Sequence, residues 1–192
     1  MFKRLFGGRS DQTQAHELYG AVVAAARDRR FFRDLGIPDT LDGRFELLCV
    51  HIYLLTKRLQ REGAEAKAVS QVLFDLFWDD MGAGLREGGV GDSVVPKRLT
   101  KMSKVFFGRV GVFDEALENS DQLDAVIAVF ERTLGEMTGA RSPDCQAMGR
   151  YVLMQRQFLD GQDWRRLGTE IDPFDVDALP TLVGQRKSET AA

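Results

Sequence analysis

Three aspartates in one predicted helix are the side chains with the clearest chemical potential in this sequence. Asp75 and Asp79 lie four residues apart and share a helix face, and Asp80 follows directly. Paired helical carboxylates can hold Mg²⁺ on a diphosphate, as in some all-α prenyl-transfer enzymes. Such enzymes carry a second acidic motif on a facing helix, and this sequence has none. An acidic surface, or a partner for basic residues, is therefore favoured over a magnesium-dependent enzyme acting on an isoprenoid diphosphate, which stays an alternative.

A basic run opens the next predicted helix. Lys97, Lys101 and Lys104 recur at helical spacing on one face, with Arg98 and Arg109 nearby. Such a face can contact RNA phosphates or an anionic lipid surface, and its plain alternative is a solvated helix face. The whole chain has a formal net charge of -3, so anion binding has to be local and DNA is not an expected partner.

The other reactive residue types do not form a recognisable catalytic pattern. His16 and His51 have no nucleophile motif with them, and His51 borders an apolar stripe, as structural histidines do. Cys49 and Cys145 lack the spacing of a zinc site and suggest free thiols in a reducing compartment. The glycines of 88–91 lack the spacing of a phosphate-binding loop. We therefore expect no catalytic residue, no metal and no cofactor.

Helical periodicity dominates the elements that must position these residues, and strand patterns are nearly absent. The spacing predicts a single all-α domain of about six or seven helices. The helix from Gly43 to Arg61 is apolar around much of its girth, which predicts a central position. The other predicted helices cover about 15–27, a short turn near 31–35, 66–81, and three more that start near Pro96, Ser120 and Ser142.

Glycines are expected to interrupt two of these helices. The stretch from Gly82 to Gly91 predicts a hinge after a helix that ends near Met81, because glycine is a poor helix former. The helix that starts near Pro96 is expected to break near Gly108 or Gly111 for the same reason.

The chain is divided here into three parts. Residues 1–12 form a flexible basic arm, 13–168 the helical domain and 169–192 a loosely ordered tail. The arm, with Lys3 and Arg4, is too short for a secretory signal and is either a frayed terminus or a weak membrane-surface arm. Nothing in the sequence approaches the ~20 apolar residues that a membrane span needs.

Two aromatic residues, Phe74 and Trp78, share a helix face separate from the core stripe of their helix. They form either a second core face or an anchor for a partner, since aromatic side chains dominate binding hot spots. The segment from Phe74 to Asp92, together with the lysine face that follows it, is better suited to docking a partner than to catalysis. The candidate partner-binding residues are Phe74, Asp75, Trp78, Asp79, Arg86, Glu87, Asp92, Lys97, Lys101 and Lys104.

The same segment carries most of a family resemblance. The motifs are Gly36-Ile37-Pro38-Asp39-Thr40, Gly43-Arg44-Phe45-Glu46, Leu48 to His51, Gln71, Leu73-Phe74-Asp75, Asp79-Asp80-Met81, Leu85-Arg86-Glu87, Gly89-Val90-Gly91-Asp92, Lys97-Arg98, Met102 and Phe106-Phe107-Gly108-Arg109. With these motifs the sequence resembles the ubiquinol–cytochrome c chaperone family. The likeness covers roughly Leu18 to Leu117 and continues more weakly to about Leu159.

The resemblance implies a non-catalytic assembly chaperone for ubiquinol–cytochrome c reductase, respiratory complex III. Mitochondrial members of the family bind newly made cytochrome b and work with a small partner protein near the exit of the mitochondrial ribosome. The expected client is thus cytochrome b or an early assembly intermediate, and further expected contacts are a small partner protein and the ribosome or an anionic membrane surface.

The resemblance also suggests where the protein acts. The sequence starts with the short basic arm and has no clear mitochondrial presequence, which favours a bacterial member at the cytoplasmic face of the inner membrane. Eukaryotic relatives are expected in mitochondria. A peripheral membrane-binding protein without a chaperone role remains a further alternative.

Overall fold

Helices make up the regular structure of this chain. A computed structural model describes residues 9–135, 137 and 142–184. Within these residues there is no β-strand, and one isolated bridge joins Leu167 to Ile171. The all-α prediction is confirmed. The elements are α1 (Arg9–Ala26), α2 (Arg29–Arg33), α3 (Leu41–Gln60), α4 (Ala64–Glu87), α5 (Val95–Glu118), α6 (Gln122–Leu134), α7 (Cys145–Asp160), a 3-10 turn (Trp164–Arg166) and α8 (Leu179–Gly184).

Helix α3 lies at the centre of the bundle. It packs against α1, α4, α5 and α7, and most of its side chains are buried. A helix that is apolar on nearly every side can bury all its apolar side chains only when other helices surround it. The predicted central position is therefore confirmed. Thr40 begins α3 by accepting a hydrogen bond from the Gly43 backbone N–H, at 3.2 Å.

Aspartates begin the two later long helices. Asp121, rather than the expected Ser120, caps α6 by accepting from the Asp124 backbone N–H. Asp144 caps α7 by accepting from the Ala147 backbone N–H at 3.0 Å, so that helix starts after the Ser-Pro pair at 142–143. Both caps satisfy backbone donors that no helical carbonyl can reach.

The glycine-rich stretch does separate two helices, as predicted, but only from Gly88 onward rather than from Gly82, and the predicted break near Gly108 or Gly111 is wrong. Helix α4 runs on through Gly82 and Gly84 to Glu87, and α5 continues unbroken past Gly108 and Gly111. A helical glycine costs roughly 1 kcal/mol relative to alanine. Packing of the neighbouring side chains between α4 and α5 outweighs that cost. The chain turns only after α4, where Gly89 takes a positive φ of 81°.

The segment after α7 packs back on the helices. Phe174, Leu179 and Leu182 are buried, and the Gln155 side chain exchanges two hydrogen bonds with the Asp175 backbone, at 2.7 and 3.2 Å. The expectation of a loosely ordered tail from residue 169 did not anticipate this packing, because the apolar residues in it are too widely spaced to show a helical pattern.

Two predicted parts of the chain fall wholly or partly outside the described residues. Lys3 and Arg4 of the expected arm lie outside them, and α1 begins at Arg9. Residues 185–192 of the expected tail lie outside them as well. The three-part division therefore stays a prediction. No helix in the described ranges combines the length and apolar character that crossing a membrane requires.

Candidate functional site

The candidate surface is formed by the second half of α4, the connection 88–94 and the first half of α5. We call residues 74–107 the α4–α5 surface. Phe74 lies beside Phe106, whereas a Cβ at Gly82 would lie 3.5 Å from the Leu99 side chain. Residues later in α4 thus meet residues earlier in α5. The two helices are antiparallel, so the acidic run of α4 and the basic run of α5 lie on neighbouring helices.

An aromatic cluster joins α3, α4 and α5 beneath this surface. Phe77 and Phe106 are buried, with ring centroids 5.6 Å apart. Trp78 lies 4.7 Å from Phe77, and Phe74 lies 5.5 Å from Phe106. Phe74 and Trp78 are therefore half-buried members of the packing between the helices. Their role as anchors for a partner stays a prediction.

The residue that sequence reasoning missed at this surface is Phe107. Its side chain is 58% exposed, although its ring touches the edge of the cluster 6.0 Å from that of Phe74. A signal was present in the sequence, since residue 107 lies three positions after Lys104 and is therefore its neighbour on the helix surface.

The three aspartates do not converge. Asp80 accepts a hydrogen bond from the Tyr19 hydroxyl of α1, at 2.6 Å, whereas Asp75 and Asp79 are exposed. Asp75 accepts from the neighbouring Gln71 amide at 2.9 Å. No group of three or more metal-binding side chains occurs within the described residues. The geometry that a diphosphate-bound magnesium needs is thus not assembled by these aspartates.

Burial and the Asp80 hydrogen bond together raise the pKa of Tyr19 well above its ordinary value, with burial the larger cause. The tyrosine is therefore a neutral donor at physiological pH. It ties α1 to α4, so Asp80 has a structural task in the fold.

The basic face is exposed, and no acidic residue in the described part of the chain pairs with it. Lys97, Arg98, Lys101 and Lys104 project from the first half of α5, and none of them forms an ion pair with another described residue. Asp75 and Asp79 therefore do not neutralise the lysines. Arg109, which the sequence placed near this face, is instead held by a buried glutamate of α3 and does not belong to it.

The connection between the helices is closed by one exposed ion pair. Arg86 donates to Asp92 at 3.2 Å, and Glu87 is the last residue of α4 and exposed. Exposed pairs contribute little to stability, about 0–1 kcal/mol. These three side chains are therefore available for partner contacts at small cost to the fold.

His51 is buried in the core, away from this surface. Its Nδ1 lies 2.7 Å from the Leu47 carbonyl oxygen, so that nitrogen donates and Nε2 accepts from the Tyr151 hydroxyl at 2.8 Å. Burial lowers the pKa of His51 to about 4. A neutral, fully bonded and inaccessible histidine has a structural role. Neither Cys49 nor Cys145 forms a disulfide within the described residues, and burial raises the pKa of the Cys49 thiol.

Comparison with a solved structure extends this description. The fold is similar to the crystal structure of the Cbp3 homolog from Brucella abortus, with a TM-score of 0.76 and 34% sequence identity. The similarity covers 88% of this chain and 93% of that one.

Comparison with known sequences finds longer relatives. Ubiquinol-cytochrome c reductase complex assembly factor 1 of Mus musculus is 23% identical over 149 residues, which are 78% of this chain and 50% of the relative. The Xenopus laevis protein of the same description is 24% identical over 149 residues, 74% of its length. The chain spans about half the length of the mouse and human relatives that it matches.

The family model described as Ubiquinol-cytochrome C chaperone matches residues 33–171, which include the whole α4–α5 surface. Since this match extends over most of the sequence, the chain belongs to the ubiquinol-cytochrome C chaperone family.

Proposed function

We propose that this protein is a non-catalytic assembly chaperone for ubiquinol–cytochrome c reductase. The main support for this proposal is the family match over residues 33–171, which contains all of α3 to α7. The matched relatives from mouse and frog are each described as an assembly factor of that complex. A chaperone role asks for an accessible contact surface rather than a reactive pocket, and the α4–α5 surface offers exposed acidic, basic and aromatic side chains side by side.

The proposed client is newly made cytochrome b or an early intermediate that contains it. In this proposal Phe74 and Trp78 contribute apolar contact at the exposed edge of the aromatic cluster. Asp75 and Asp79 contribute polar specificity, because they are exposed and form no ion pair within the described residues. Arg86, Glu87, Asp92 and the three lysines complete the candidate contact residues.

The proposed place of action is the cytoplasmic face of a bacterial inner membrane, where the protein would be peripheral. A small partner protein and a ribosome contact are carried over from the family resemblance and belong to the same proposal. Both would bring the chaperone to its client during synthesis. Neither is needed for the client test that follows.

Affinity purification tests the client assignment. The tagged full chain is expressed in a respiring bacterium that assembles the complex, extracted in mild detergent and analysed by mass spectrometry. We expect cytochrome b to be enriched while the later subunits of the mature complex are not. Recovery of a folded, abundant bait without any subunit of the complex would contradict the proposal.

A charge-reversal pair then locates the contact. Asp75→Lys with Asp79→Lys should lower cytochrome b recovery several-fold, because two exposed charges of the α4–α5 surface change sign. The matched control is Glu17→Lys with Glu131→Lys, which makes the same charge change at exposed positions of α1 and α6. Equal recovery with both variants would show that this side of α4 does not meet the client.

A further inference from the structure

The first half of α5 is an isolated patch of positive charge on an acidic protein. Residues 95–113 contain five basic side chains and no acidic one, while the chain as a whole has a net charge of -3. Arg109 is neutralised by its buried glutamate partner. Four cations therefore remain exposed on about two helical turns, a charge density that favours an anionic surface.

Exposed apolar side chains stand at both ends of this patch. Val94 is 44% exposed and lies three residues before Lys97, and Phe107 is 58% exposed and lies three residues after Lys104. Residues three apart are neighbours on a helix surface. Each end of the lysine row thus has an exposed apolar side chain beside it. A helix face that served only to be solvated by water would not need these apolar side chains.

Two positions on the outer face of α5 next to the lysines carry no side chain, because they are glycines. Gly108 follows Lys104 by four residues, Gly111 follows Phe107 by four, and a Cβ at either glycine would have open space around it. No packing within the described structure therefore requires these two glycines. Among the described residues of α5, Phe107 is the one large apolar side chain that is exposed.

We propose that the outer face of α5 rests on an anionic lipid surface. Lys97, Lys101 and Lys104 would lie at the level of the lipid phosphates, and Phe107 would enter the boundary between headgroups and acyl chains. A helix with a basic side and flanking apolar residues binds membranes in this interfacial manner. This orientation deepens the proposed function by placing the chaperone beside a membrane-embedded client, but lipid binding itself does not depend on it.

A lipid surface fits the patch better than RNA does. The four exposed cations belong to one helix, and a row of charges along a single helix can lie parallel to a membrane plane. The side chains of Phe107 and Val94 have no hydrogen-bonding groups. Transfer of their exposed area from water to the lipid acyl chains is therefore favourable. RNA binding with the same lysines is accordingly an outcome that the test has to distinguish.

Sedimentation with large vesicles tests the proposal. The full chain is mixed with phosphatidylcholine vesicles that contain or lack phosphatidylglycerol. We expect binding only with the anionic lipid, and a decrease as the salt concentration rises. Each basic residue near an anionic surface contributes roughly a five-fold factor in partitioning. Lys97→Glu/Lys101→Glu/Lys104→Glu should therefore weaken binding by about two orders of magnitude or more.

Two further comparisons separate apolar insertion from charge alone. Phe107→Ser should weaken binding to anionic vesicles, while Phe107→Trp should preserve it and give a blue-shifted fluorescence component on binding. The matched control, Arg29→Glu/Lys67→Glu/Arg132→Glu, changes the net charge equally at exposed positions of α2, α4 and α6. It should retain most of the binding.

The opposing outcomes are definite. Equal binding to neutral and anionic vesicles, or equal losses in the lysine and control variants, would overturn the proposal. Tighter binding to a short RNA duplex than to vesicles, with the same lysine dependence, would replace the lipid by RNA. The wild-type chain separates the two proposals, since recovery of cytochrome b without binding to anionic vesicles would support the chaperone function and overturn the lipid proposal.

Discussion

The guanidinium of Arg109 donates to both carboxylate oxygens of Glu46, with N–H···O distances of 2.7 to 3.0 Å. The pair joins α5 to the central helix α3. Hydrogen bonding to Glu46 raises the pKa of Arg109, although its partial burial opposes that shift. The pair thus sets how the helix that carries the basic face lies on the core.

Removal of one partner should destabilise the fold. Arg109→Met leaves a carboxylate that is only 9% exposed without its counter-charge. Breaking a buried pair costs about 3–5 kcal/mol, and the partial exposure of Arg109 reduces our expectation to about 2 kcal/mol. The measurement is the free energy of unfolding in urea. Arg44→Met breaks the surface pair with Asp39 instead, in which both side chains are more than half exposed, and should leave the midpoint nearly unchanged.

Stability should fall in mildly acidic solution because of His51. Its ordinary pKa is 6.5, and burial lowers it to about 4 in the fold. The unfolded state thus binds a proton more readily, so stability is full above about pH 6.5 and decreases as the pH falls toward 4. We expect a loss of about 2 kcal/mol between pH 7 and pH 5, measured by urea unfolding at each pH.

A His51→Gln variant provides the comparison for that pH dependence. It should be less stable at pH 7, yet its stability should hardly change between pH 7 and pH 5. The Asp28 and Asp39 carboxyls, whose pKa values are lowered in the fold, do not affect this comparison. Their contribution to stability is lost only as the pH falls below about 3.8. An equal slope in both proteins would assign the effect to other groups.

Two glycine-to-alanine changes should have opposite signs. At Gly43 an added Cβ would collide with the Pro38 carbonyl oxygen, a backbone atom that cannot rotate away, so Gly43→Ala should cost at least about 2 kcal/mol. At Gly108 the space is open, and Gly108→Ala should stabilise the helix by about 0.5–1 kcal/mol. Thermal unfolding of both variants measures the difference, and a stabilising Gly43→Ala would contradict the described turn.

Magnesium should not stabilise this protein. Asp80 is engaged with Tyr19, and the two remaining carboxylates have no facing acidic partner within the described residues. We expect the unfolding temperature of the wild type and of Asp75→Asn/Asp79→Asn to be insensitive to magnesium chloride, with or without a diphosphate. Magnesium-dependent stabilisation that the variant loses would instead favour the diphosphate enzyme.

The amino-acid sequence alone determined the helical architecture and the family. Apolar residues at helical spacing indicate which face of a helix is buried. Because α3 has apolar residues around most of its circumference, its sequence alone predicts a central position in the bundle. The motifs between Gly36 and Arg109 were sufficient for the family, which the match over residues 33–171 confirms.

Only the tertiary structure decided which of these residues are free to act. Asp80 meets Tyr19, and Arg109 meets Glu46, across more than sixty positions of sequence, so no local pattern could separate them from their exposed neighbours. Helix α4 continues through Gly82 because packing between helices outweighs local propensity. Consecutive residues of a helix point about 100° apart, and the way α5 lies on the bundle turns Phe106 inward and leaves Phe107 exposed.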